Sequence, residues 1–337
     1  MDTLYTARLH GFLNENKTVM DANLTEEGVL SLLIVLGSSL SLVSLVFAFI
    51  TYSLFSDLRN LSGTTLMNLL AALFMTQLLY VLGVGGAMDS ELCLAMASAL
   101  HYSRLCVFSW TLLMTHNMYM QYQTGLHLVP VTDSNISRNF IKYSIFGWGL
   151  PSLLLLGGVI GHSYNKKGIY NAHELKKQNC WFLDKNAFIY GLVIPSYLMA
   201  GLTFYYLARS AFLSRYIVNM QPDKRLRDKM QSKRTVQIIL FTKITLVLCS
   251  CLALAAASKL TDSTGIWIAF HIVQGLQGIQ ISMLVTCNCQ VLKLYTRSLK
   301  SKASKHIPNY TAGPSASGVN KSTSLQMLTW DPPPDLV

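Results

Sequence analysis

A 337-residue chain that is 51% apolar and only 13% charged, with a mean hydropathy of +0.37, has too little polar surface to be a water-soluble globule. Its formal net charge of +11 falls mainly in short segments between long uncharged runs. That pattern fits membrane orientation and contact with anionic lipid rather than nucleic-acid binding.

Residues 1–28 carry five acids (Asp2, Glu15, Asp21, Glu26, Glu27) against Arg8 and Lys17 and read as an extracellular tail. They show no signal-peptide pattern, so the first helix is expected to act as its own insertion signal. The sequons 16-NKT-18 and 23-NLT-25 mark Asn16 and Asn23 as glycosylation candidates. No charged side chain occurs in 29–56, 60–88, 143–165, 186–208 or 263–292, and 92–122 and 235–258 hold one basic residue each, Arg104 and Lys243. Each run meets the roughly 20 residues that a helix needs to cross the hydrocarbon core, and none has the alternation of a membrane strand. The expected fold is an all-α integral membrane protein, a seven-helix bundle over 29–291. Its helices fall at about 29–55, 62–86, 92–122, 139–162, 187–213, 234–259 and 266–291. An interfacial helix at 292–302 and a disordered cytoplasmic tail at 303–337 follow.

With the N-terminus outside, 15 Lys and Arg lie in cytoplasmic segments and 8 in outer ones. The positive-inside bias therefore predicts a multi-pass plasma-membrane protein with its N-terminus outside. In that topology Cys106, Cys249 and Cys251 lie within helices, and Cys287 and Cys289 near the cytosolic end of the last one. Only Cys93, at the outer start of the third helix, and Cys180, in the second outer loop, face an oxidising side, which favours a Cys93–Cys180 bridge over two unpaired thiols. Trp181 and Phe182 then sit beside that bridge, at the boundary between water and an apolar cleft.

Several motifs fall in order on successive helices. They are 58-LRNLSG-63 with Asn68, Trp110, 143-YSIFGWGLP-151, 180-CW-181 and 276-LQG-278. Together with seven helices and the cysteine pair they resemble the secretin/adhesion class of G-protein-coupled receptors, with the insect Methuselah-like receptors close by. The likeness covers about residues 29–297. The rhodopsin-like class fits badly, because the third helix ends 117-NMYMQY-122 without Asp-Arg-Tyr and the seventh has no Asn-Pro-x-x-Tyr. The resemblance implies an extracellular ligand, a heterotrimeric G-protein partner and signalling through movement of the sixth helix. Departures are Leu66 and Asn117 where the family has histidines, no proline in the sixth helix, and 28 residues before the first helix where adhesion receptors carry a long ectodomain.

Arg104 lies eleven residues past Cys93 in a span that holds no acid. That places it about 16 Å down the helix, near the midplane. A base at that depth must face the bundle interior, either to bond neighbouring helices or to meet an anionic ligand group. Tyr102, Trp181, Phe182, Trp267, Phe270 and Gln274 are the other ligand-pocket candidates, with interfacial anchoring the plainer role for the aromatics. Lys243 either snorkels toward the cytosol or, as the resemblance implies, belongs to a switch. Arg59, Asn68, Asn117, Tyr119 and Gln277 are candidates for the same inner machinery, or buried helix-helix bonds. The basic segment 221-QPDKRLRDKMQSKR-234 extends the sixth helix; its Lys229, Lys233 and Arg234 bind lipid headgroups or, by resemblance, the G protein.

Cys287 and Cys289 are weak palmitoylation candidates or inert thiols. The tail hydroxyls offer phosphorylation sites of the kind arrestin reads, and 334-PDLV-337 is a weak PDZ ligand. No cofactor or metal site is expected: the eight histidines include no HExxH, and no serine sits in a G-x-S-x-G elbow. A transporter is the alternative from another class, opposed by the lack of intramembrane carboxylates. A receptor-like modulator that does not itself couple is the other.

Overall fold

The structure is a computed structural model that describes residues 26–55, 61–84, 90–124, 134–165, 181, 183, 185–220, 222–261, 263–287, 291 and 296. Residues 1–25 with Asn16 and Asn23, Arg59, Cys180, Phe182, Cys289 and the 303–337 tail lie outside the described residues. So does the 292–302 segment apart from Thr296.

Among the described residues, seven helices are each long and apolar enough to cross a membrane. They are α1 (Glu26–Leu54), α2 (Leu61–Val84), α3 (Ser90–Thr124), α4 (Ser134–Asn165), α5 (Lys185–Asn219), α6 (Lys224–Thr261) and α7 (Thr264–Thr286). The fold is therefore the expected all-α seven-helix bundle. Going round it, α1 packs on α2, α2 on α3, α3 on α5, α5 on α6, α6 on α7 and α7 back on α1, while α4 lies outside against α3. The peripheral place of α4 explains its exposed Ile145, Phe146, Leu153 and Leu156, which face the bilayer.

Helix ends differ from the hydropathy limits because backbone hydrogen bonding does not stop where apolar composition does. The fourth and fifth helices run to Asn165 and Asn219, beyond 162 and 213. The sixth starts at Lys224 rather than 234, where Asp223 caps it by accepting the Arg225 N–H on Oδ1 at 3.0 Å. The seventh ends at Thr286, short of 291, because Cys287 leaves helical geometry at φ −79°, ψ 16°. Within α5, Ile189–Val193 forms a π turn in which the Ile194 N–H reaches the Ile189 carbonyl. Pro195 follows it; without an N–H it cannot bond the Gly191 carbonyl, and the wider turn absorbs that lost bond.

The tightest seam joins α1 to α7. A Cβ on Gly278 would lie 2.7 Å from Ser41 Cβ, and one on Gly37 only 3.7 Å from Gly275. The Ser41 hydroxyl donates to the Gly275 carbonyl, and Ser282 Oγ to the Ser44 carbonyl at 2.6 Å. In lipid there is no hydrophobic drive between helices, so small residues and such hydroxyl bonds are what hold them together.

Candidate functional site

Arg104 faces the interior, as its depth requires. With Thr76, Leu192, Cys251, Gln274 and Gln277 it lines a cavity of about 40 Å³ between α2, α3, α5, α6 and α7. That is room for a few waters, against about 300 Å³ for a small ligand pocket. Arg104 Nη1 donates to the Trp181 carbonyl at 3.2 Å, which ties α3 to the stretch preceding α5.

A polar network lies against the same cavity. Gln274 Nε2 donates to Gln277 Oε1 at 3.1 Å and Gln77 Oε1 at 3.4 Å, while its own Oε1 accepts from Cys251 Sγ at 3.0 Å. Gln77 Nε2 returns a bond to the Gln274 carbonyl at 2.7 Å. Three helices thus meet where water is scarce, α2 and α7 through amides and α6 through the Cys251 thiol, so each orphaned partner is costly.

At one end of the bundle Trp181 is only 3% exposed. Its ring stacks on Tyr80 (5.1 Å, 27°) and packs on His271 (4.6 Å) and Trp267 (6.1 Å). Its Nε1–H donates to the Tyr80 carbonyl at 3.0 Å. The Tyr80 hydroxyl and His271 Nδ1 are hydrogen-bonded, and Trp267 and Phe270 close on the His271 ring. Cys93 is buried and disulfide-bonded. Cys106, Cys249, Cys251 and Cys287 are free thiols, with Cys287 exposed.

Of the ligand-pocket candidates, Arg104, Phe270 and Gln274 reach the cavity, and Trp181 and Trp267 belong to the aromatic cluster above it. Tyr102 does not reach it. It lies two residues from Arg104, about 200° around the helix, and its hydroxyl donates to the Trp148 carbonyl on α4 at 3.1 Å. Trp148 Nε1 in turn donates to Asn68 Oδ1 at 3.3 Å, so Asn68 clasps α2 to α4.

At the end of the bundle away from Trp181, the Arg234 guanidinium lies 4.9 Å from the centre of the Tyr122 ring, whose hydroxyl donates to Gln237 Oε1 at 3.3 Å. These contacts join α3 to α6. Tyr119 packs on Tyr206 of α5 at 5.6 Å, and the buried Asn117 Nδ2 has no hydrogen-bond partner among the described residues. Lys229 and Lys233 are exposed. Lys243 is not an interior residue either. It lies two positions from the buried Phe241, about 200° around the helix, on the outer face it shares with the exposed Ile239 and Leu246. The geometry favours snorkelling over an interior switch for Lys243.

Gln77, Tyr80 and Cys251 are site residues that sequence reasoning missed, and His271 is a fourth that was not among its site candidates. The available signal for Gln77 was an amide within an uncharged span, as for Asn68 on the same helix and Gln277 on α7.

The family model for seven-transmembrane receptors of the secretin family matches residues 27–281. Adhesion G protein-coupled receptor E2 of Macaca mulatta is 29% identical over 172 residues, 50% of this chain and 20% of that protein. Adhesion G protein-coupled receptor L4 of Danio rerio is 26% identical over 180 residues, 52% of this chain and 22% of that protein. Cadherin EGF LAG seven-pass G-type receptor 1 of Mus musculus is 34% identical over 139 residues, 40% of this chain and 4% of that protein. The match thus spans about a fifth or less of the length of these relatives.

Proposed function

We propose, from the premise that this chain belongs to the secretin family of seven-transmembrane receptors, that it passes an extracellular signal to a heterotrimeric G protein through α6. The carrying observation is the position of α6. Cys251 bonds α7 through Gln274 near the cavity, and Arg234 and Gln237 meet Tyr122 of α3 at the inner end. One rigid helix therefore touches both the interior site and the inner face, and its displacement would couple them.

The N-terminus outside, supported by the 15-to-8 charge bias, puts Lys229 and Lys233 on the cytoplasmic face. Guanine-nucleotide exchange by the chain in reconstituted membranes tests the reading. Changing Lys229 and Lys233 together to alanine is expected to lower exchange several-fold with expression unchanged, since exposed charges steer association. Unchanged exchange would assign both lysines to lipid headgroups.

The Cys93–Cys180 pairing belongs to the same proposal, supported by the disulfide state of Cys93 and by the buried Trp181, next to Cys180 in sequence, whose indole bonds the Tyr80 carbonyl. Cys93→Ser and Cys180→Ser should each cost about 2–5 kcal/mol and lower surface delivery alike. The double variant should add little, because both remove one bond. Labelling that finds both thiols free in delivered protein would refute the pairing.

Contacts of the tail with arrestin and a PDZ protein rest on its sequence, and closeness to the Methuselah-like receptors rests on the ordered helix motifs. A modulator that does not itself couple is the second reading, favoured by Leu66 and Asn117 at the positions of the family histidines.

A further inference from the structure

Trp181 stands four residues before α5 and belongs to no helix, yet it is as buried as a core residue. Burial alone would make it a plug. Its polar groups say more, because the indole N–H and the backbone carbonyl are both matched inside the bundle. The indole N–H reaches the Tyr80 carbonyl at 3.0 Å, and the Trp181 carbonyl accepts from Arg104 Nη1 at 3.2 Å. The ring lies on Tyr80 at 5.1 Å and His271 at 4.6 Å, with Trp267 at 6.1 Å. Tyr80 and His271 are themselves joined by a hydrogen bond, so the walls of the slot hold each other in place. A helix carbonyl already has a partner one turn on, and the lone pair left over accepts the indole. Aromatic walls, one acceptor for an N–H and one cationic donor for a carbonyl define a recognition site by its chemistry.

We propose that Trp181 is an intramolecular ligand of this receptor: its indole occupies a site built for a flat aromatic ring with one N–H donor. An extracellular ligand of that class, an indole amide such as a peptide tryptophan, acts by displacing it. The inference rests on the receptor reading above and names the ligand chemistry of that same site. The cavity of about 40 Å³ that adjoins the slot through Arg104 and Phe270 is too small for such a ligand, so the ring has to leave before another can enter.

Truncation and refilling test this. Purified Trp181→Ala should melt below the wild type, and millimolar indole should raise its melting temperature by several degrees while leaving the wild type unmoved. Benzothiophene has the shape without the N–H and should recover clearly less. No response to indole, an equal response of both proteins, or equal recovery by benzothiophene would overturn the proposal. If Trp181→Ala does not yield folded protein, Trp181→Phe carries the test, since it keeps a ring and loses the donor. It should melt below the wild type, and equal melting overturns recognition of the N–H. These measurements contain no G protein, so their failure is distinct from failure of the receptor reading. In reconstituted membranes indole should return the basal nucleotide exchange of Trp181→Ala toward the wild-type level. Restored melting with unmoved exchange would overturn the ligand role.

Discussion

Gly147→Ala is expected to cost about 3 kcal/mol and to remove most of the correctly delivered protein. A Cβ at this position would come 2.4 Å from Trp110 Cε2 and 2.6 Å from Cζ2, well inside contact distance. Relief would require the ring to move, and Trp110 is fully buried and held edge-on by Trp148 at 5.8 Å. The cost therefore falls at the upper end for overpacking. A double-mutant cycle shows whether the collision is the cause. Trp110→Leu alone should cost about 3 kcal/mol through the cavity it leaves. Combined with Gly147→Ala it should cost at least about 1 kcal/mol less than the sum, because the added methyl then fills space. The readouts are melting of purified protein and surface labelling in cells. A single variant within about 0.5 kcal/mol of wild type would show that α4 can slide outward, which its peripheral place would permit.

The membrane-spanning architecture was legible because hydrocarbon imposes a coarse requirement: each span must be long and nearly uncharged. Seven such runs exist in the chain and seven helices match them. Their ends were less legible. Asp223 caps α6 well outside the apolar run, and the π turn before Pro195 redistributes bonds without changing hydropathy.

The interior site was half legible, and helical phase explains the missing half. Depth alone put Arg104 inside, but depth does not say which way Tyr102 or Lys243 faces. A residue's facing changes by about 100° per position, and uniformly apolar spans give no amphipathic stripe from which to read phase. Tyr102 consequently bonds α4, and Lys243 shares the outer face with Leu246. Tyr80 and Cys251 carried no sequence signal at all, since each is common in apolar spans. Their roles come from partners on other helices, Trp181 and His271 for Tyr80 and Gln274 for Cys251.

Gln274→Leu should show whether the polar network holds α6 in place or merely packs. The leucine would leave Gln77 Oε1 and Gln277 Oε1 without the amide donor they share, and Cys251 without its acceptor. Two orphaned amide oxygens in a soluble core would cost about 3 kcal/mol. Hydrogen bonds within bilayers are worth less, because the unfolded reference state finds partners too, so about 2 kcal/mol is the better expectation. Adding Gln77→Leu removes one orphan and should make the pair milder than the sum by about 1 kcal/mol. Stability alone does not separate the two roles, but the Cys251 bond does, because it is the network's link from α7 to α6. Cys251→Ala breaks that link, keeps the amide–amide bonds and orphans only Gln274 Oε1, which had accepted a weak S–H donor, so it should cost less stability than Gln274→Leu. If the link restrains α6, both Gln274→Leu and Cys251→Ala should raise basal nucleotide exchange, and by similar factors. Lower melting for Gln274→Leu with basal exchange unchanged in both variants would reduce the network to packing, and the restraint on α6 would then have to lie at Tyr122 and Arg234.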